Sequence, residues 1–245
     1  MPPLTTLLAV AAVIFAGALC QSTLGFGNAL VAMPLLSTLI GLQPATALFG
    51  LISLAMGVVL IALGRRSIVL RDSWRLNLAA LAGVPVGLWL LRSAPEALIM
   101  HGLGALLIAY GAAGLLLRNT TVRTTAPVAE WLVWPFGFVS GILGGAYNTN
   151  GPPLVVFGTL QRWEPERFRA TLQTVFLTSS IAIGVGHASA GMWTTQTFVQ
   201  CAACLPLLWL AGISGRWLTR RIEPAAFIRW VYVALIVLGL MLLRR

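Results

Sequence analysis

Ala16-Gly17-Ala18-Leu19-Cys20-Gln21-Ser22-Thr23-Leu24-Gly25-Phe26-Gly27-Asn28 and Ser140-Gly141-Ile142-Leu143-Gly144-Gly145-Ala146-Tyr147-Asn148-Thr149-Asn150-Gly151-Pro152 decide how this chain folds. Each sets small, polar, helix-breaking residues inside an apolar stretch too long for one ordinary crossing, and the two lie about 124 residues apart. In a bilayer, irregular backbone is tolerated only where protein or a water-filled cavity satisfies the freed amides and carbonyls. Paired breaks in two halves of a chain therefore point to the substrate site of a transporter.

The composition agrees with a membrane setting. The 245 residues are 58% hydrophobic and 9% charged, with a mean hydropathy of +0.91; a soluble domain carries roughly 25% charge. That length holds roughly eight to ten crossings of about 17 to 25 residues, leaving little for a soluble domain. All 16 basic residues are arginine, for a net charge of +10. No run mixes them with stacking aromatics, so they read as topology determinants rather than as a nucleic-acid surface. Cys20, Cys201 and Cys204 fall within apolar stretches. Cys201-Ala-Ala-Cys204 copies a redox spacing without a βαβ context, and packing is the simpler role. Leu4 to Cys20 lacks a preceding basic residue and a small residue before a cleavage point, so it reads as a retained first helix.

The expected fold is all-α: a multi-pass membrane protein of two inverted repeats, each a broken-helix hairpin followed by three transmembrane helices. The first repeat spans 1–117, a linker 118–130 and the second repeat 131–245. The halves align at offsets of 124 to 129, with Gly17 on Gly141, Gly27 on Gly151, Ala45-Thr46 on Ala170-Thr171 and Pro95 on Pro224. Arginine placement chooses between parallel and inverted repeats. Returning hairpins put thirteen arginines on one side and Arg92, Arg244 and Arg245 on the other, whereas singly crossing pairs give eight and eight. Basic loops stay cytoplasmic, so the inverted arrangement is favoured. The linker is then cytoplasmic, and its Asn119-Thr120-Thr121 sequon is never modified.

A helix that begins inside the membrane leaves its first amides unpaired and carries partial positive charge there, which attracts an anion. Asn28 is expected as the N-cap of the helix through Ala29 to Ser37, with Gly25 and Gly27 allowing close backbone approach. Gly151 and Pro152 occupy the matching place. The candidate anion-binding residues are Gln21, Ser22, Thr23, Gly25, Gly27 and Asn28 in one tip and Tyr147, Asn148, Thr149, Asn150 and Gly151 in the other. Thr171 and Gln173, with Thr46, start the following helices and supply further donors. The alternative for each is that it satisfies the broken backbone alone.

No Asp or Glu lies deep in any segment, and the histidines are His101 and His187. Proton-coupled carriers usually place a titratable group at such depth. An anion leaving a negative interior is already driven by roughly 2.3 kcal/mol per charge per 100 mV, which fits efflux. No metal or cofactor is implied. Ser140 with His187 is the one pairing a hydrolase could use, and Ser140 lacks a Gly-x-Ser elbow. An anion channel shares these features with a carrier.

Gly17 through Pro34, with Leu24-Gly25-Phe26-Gly27-Asn28 and Met33-Pro34, resembles the first motif of the sulfite exporter TauE/SafE family, also called toluene sulfonate uptake permeases. Gly141 through Val156, with Gly151-Pro152-Pro153, resembles the second. The likeness spans nearly the whole chain, with Asn28, Asn148 and Asn150 standing where glycine or small residues are frequent. It implies a bacterial inner-membrane permease whose cargo is a small anion such as sulfite, a sulfonate or a related organosulfur compound. Both import and export occur in the family.

Overall fold

A computed structural model describes residues 4–63, 70–116, 129–219, 221 and 224–244. Most of the linker at 118–130, with its sequon, and the basic residues Arg65 and Arg66 lie outside the described residues. Among the described residues ten α-helices follow in order: α1 Leu4–Leu24, α2 Asn28–Ile40, α3 Leu42–Ala62, α4 Leu70–Ser93, α5 Glu96–Leu116, α6 Val133–Tyr147, α7 Gly151–Leu160, α8 Pro165–Ser189, α9 Thr195–Thr219 and α10 Pro224–Leu243. A 3-10 turn, Glu130–Leu132, leads into α6, and the described residues contain no strand. Among them, α1, α3, α4, α5, α8 and α9 are long and apolar enough to cross a membrane.

The principal packed pairs are related by exchanging α1–α5 with α6–α10. Thus α1 on α9 has its counterpart in α6 on α4, α3 on α9 in α8 on α4, and α1 on α2 in α6 on α7, while α3 with α8 and α5 with α10 map onto themselves. Lipid tails are as apolar as leucine, so close backbone packing must hold such helices together. Glycine makes that approach possible. A Cβ added to Gly137 would lie 2.8 Å from the Leu76 carbonyl, one on Gly141 2.9 Å from the Gly83 Cα, and one on Gly145 2.9 Å from the Gly87 Cα. The order of these contacts makes α4 and α6 parallel. Helices α5 and α10 run antiparallel, with Gly104 against Gly239 and Gly111 against the Tyr232 carbonyl.

Helix ends sort into two groups. The start of α4 (Ser73, Arg75), the approach to α6 (Glu130), the residues after α7 (Gln161, Trp163) and the start of α8 (Arg167) line one cleft of about 400 Å³. There Arg75 and Glu130 form an ion pair of 3.1 Å. Since α6 begins and α7 ends in this group, the second broken pair is a hairpin. At the other end, the Leu42 amide donates to Glu96 Oε1 at 3.0 Å, and the Trp193 indole N–H donates to the Ala47 carbonyl at 3.3 Å. Arg75 lies over Trp74, Arg167 over Trp163 and Arg221 over Trp217. Arginine stacked on tryptophan is the composition of a membrane–water boundary. In the first pair α1 alone is long enough to cross, and its helix continues unbroken through Gly17 and Gln21, where the sequence motif reads as a break.

Candidate functional site

Both breaks are shorter than the motifs that announce them. Helix α1 carries Gln21, Ser22 and Thr23 in regular conformation, and only Gly25-Phe26-Gly27 departs from it. Ser22 and Thr23 donate their hydroxyls to the carbonyls of Ala18 and Leu19, each at 2.8 Å, within their own helix. Gly25 and Gly27 take φ of 88° and 97°, a left-handed region that costs an L side chain about 1–2 kcal/mol. Gly27, not Asn28, occupies the N-cap position, with no side-chain cap, and Asn28 is the first helical residue. The expected capping by Asn28 fails because its side chain turns back to α1, where Nδ2 donates to Gln21 Oε1 at 2.9 Å. The first amide of α2 bonded back along the chain is that of Val31, to the Gly27 carbonyl at 3.2 Å. The amides of Asn28, Ala29 and Leu30 precede it at the cavity wall.

The second break is Asn148-Thr149-Asn150. Asn148 closes α6 at φ 53°, a conformation asparagine tolerates, and its amide bonds to the Gly144 carbonyl at 2.8 Å. Its Nδ2 donates to the Thr46 carbonyl at 3.1 Å, fastening this tip to the start of α3. Helix α7 begins at Gly151 with Pro152 and Pro153, which have no N–H to offer. This end therefore presents fewer amides than α2, and the side chain of Asn150 stands beside them. Ser140 Oγ donates to the Asn150 carbonyl at 2.8 Å, so the hydroxyl weighed as a nucleophile braces the break instead.

The two tips meet at a cavity of about 50 Å³. Gln21, Gly27, Asn28, Ala29 and Leu30 line it from the first break and Asn148, Thr149, Asn150 and Gly151 from the second, with Phe49, Ser53, Phe176, Ser180 and Ile183 completing the wall. Among the described residues, none that lines it is acidic. Asn28 and Asn150 are each 8% exposed or less, and Asn28 Oδ1 and Asn150 Nδ2 have no hydrogen-bond partner. Each amide sits against a glycine of its own hairpin: Cβ atoms on Gly17 and Gly144 would lie 2.5 Å from Asn28 Oδ1 and 2.7 Å from Asn150 Nδ2. In this role the counterpart of Gly17 is Gly144; Gly141 belongs to the α4 contact. Two helix N-termini and neutral donors in a low-dielectric space with no carboxylate suit a small anion.

Of the remaining expected residues, Ser22, Thr23, Gly25 and Gln173 line an adjoining cleft of about 310 Å³ with Glu166 and Arg169, and Gln21 lines both spaces. Two lie elsewhere. Tyr147 is buried with its hydroxyl against Gly102 of α5, and Thr171 faces the cleft of Arg75 and Glu130. Thr46 bonds to the Leu42 and Gln43 carbonyls. His187 is fully buried beside Gly50, with neither ring nitrogen hydrogen-bonded, while His101 is exposed. The sequence reading missed Phe49 with Ser53 and Phe176 with Ser180. The signal was present: the same Phe-x-x-x-Ser spacing recurs 127 residues on, and positions four apart share a helix face.

No protein of solved structure matches this chain. Over 248 aligned positions it is 27% identical to the probable sulfite/organosulfonate exporter TauE of Cupriavidus necator, covering 96% of this chain and 93% of that one. The sequence profile described as Sulfite exporter TauE/SafE matches residues 9–242. With its doubled helical organisation and paired tips, this multi-pass membrane protein belongs to the sulfite exporter TauE/SafE family.

Proposed function

We propose that the protein is a secondary transporter that carries sulfite or a small organosulfonate, chemically unchanged, across the bacterial inner membrane. The observation that carries this reading is the cavity of about 50 Å³ between the starts of α2 and α7, walled by Asn28, Asn150 and neutral hydroxyls without a carboxylate. Family membership and the exporter name of the Cupriavidus necator relative support the cargo and outward direction. The repeats are read as inverted across the membrane plane, with the end bearing Arg75, Arg167 and Arg169 cytoplasmic. Single cysteines at Ala129 and Glu164, in a chain whose native cysteines are replaced by alanine, should label from one face and a cysteine at Thr194 from the other. Labelling of positions 129 and 164 from opposite faces contradicts inversion.

Transport itself is tested in liposomes holding the purified chain. Sulfite efflux should saturate with concentration, and a short sulfonate should compete for the same flux. Flux that stays linear into the high millimolar range favours the channel reading instead.

A further inference from the structure

We propose a second anion-binding station in the cleft between the break of α1 and the first turns of α8, where Arg169 receives the anion and Gln21 connects it to the central cavity; this rests on the transport reading above. The cleft, of about 310 Å³, is the larger space, and Gln21 belongs to the walls of both. Its Oε1 accepts from Asn28, which leaves the amide NH₂ as the donor for a passing anion. The Arg169 side chain lies beside the tip: a Cβ on Gly25 would be in van der Waals contact with Arg169 Cγ, at 3.5 Å.

Arg169 is set apart from arginines fixed by partners. Arg75 is paired with Glu130, and Arg167 and Arg221 lie on tryptophans. Among the described residues no carboxylate oxygen comes within 4.0 Å of the Arg169 guanidinium. Glu166, one helical turn earlier on α8, lines the same cleft and opposes an anion there. The two charges set the local field in opposite senses. Substitutions that remove them must therefore move affinity in opposite directions, which a purely structural role for either residue does not produce.

A cleft whose charge is of one sign alters the local concentration of a charged substrate by about tenfold or more at low salt, so removing either member of this opposed pair leaves the other sign unbalanced. The experiment measures initial sulfite flux from the arginine-rich face of oriented vesicles, at low and high ionic strength, for the wild type, Arg169→Gln, Arg169→Lys, Glu166→Gln and Asn28→Leu. Arg169→Gln should raise the half-saturating sulfite concentration about tenfold, with the maximal rate within about twofold, and should lose most of its salt dependence. Arg169→Lys should fall between it and the wild type, and Glu166→Gln should bind sulfite more tightly. If Arg169→Gln does not fold, the lysine and Glu166 variants decide by the same opposed shifts. Unchanged half-saturation in the Arg169 and Glu166 variants, with flux lost in Asn28→Leu, overturns the second station and leaves the transport reading standing. A wild type that moves no anion ends both.

Discussion

Asn28→Leu and Asn150→Leu should each lower sulfite flux by about tenfold to a hundredfold, because a hydrogen bond to a charged group is worth about 1.5–3 kcal/mol and each tenfold corresponds to about 1.4 kcal/mol. Folding should be almost untouched. Asn150 Nδ2 is a buried donor without a partner, and Asn28 Nδ2 keeps a second hydrogen beyond the one given to Gln21 while its Oδ1 acceptor is unpaired, so a side chain of similar volume removes a donor to the anion and an unsatisfied polar atom in each case. The glycines of the two tips should not behave alike. Gly27→Ala forces a side chain into φ 97° with Cys20 Sγ 3.1 Å from its Cβ, whereas a Cβ on Gly151 meets only the Phe176 ring, at 3.8 Å. Gly27→Ala should therefore lower thermal stability by about 1–2 kcal/mol, and Gly151→Ala should fold normally. Flux per folded molecule, with folding followed by size-exclusion profile and melting temperature, checks the series. Wild-type flux in both asparagine variants removes the tips from the site.

Gly141→Leu should abolish recovery of monodisperse protein. Helices α4 and α6 approach so closely that even a methyl group on Gly141 would collide with backbone atoms of Ala80 and Gly83. Backbone has no rotamer by which to yield, so the helices must separate along their length, and without a hydrophobic force between them in lipid little draws them back together. Gly83→Leu, on the other side of the same contact, should have the same effect. Detergent extraction followed by size-exclusion chromatography reads the outcome directly; a sharp wild-type peak for either variant means that α4 and α6 do not depend on this contact.

The breaks, the helix order and the doubling were legible because they are written in residue types that a bilayer penalises: glycine, proline and amides inside apolar runs. The division of labour among those residues was not. Gly141, Gly144 and Gly145 read alike, yet Gly144 makes room for Asn150 while its neighbours admit α4. Helical continuity through Gln21 to Thr23 was hidden for a related reason, since glycine and serine break a helix in water more readily than between packed helices. Phe49, Ser53, Phe176 and Ser180 escaped notice because a helix surrounded by lipid is apolar on every face. Period alone then cannot separate the face toward the cavity from the face toward lipid. Thr171 was misplaced on the same ground: two residues from Gln173 on α8, it points about half a helical turn away.

Sulfite efflux from liposomes with membrane potential and pH gradient imposed separately tests most directly whether an uncharged polar cavity carries the anion on its electrical gradient. The structure places no carboxylate at the cavity and holds His187 buried beside Gly50 with both ring nitrogens unbonded. Flux should rise with an outward-driving potential at equal pH, and His187→Gln should retain most of it. Flux that ignores potential, follows the pH gradient at clamped voltage and loses that dependence in His187→Gln would contradict potential-driven efflux and make His187 the proton carrier.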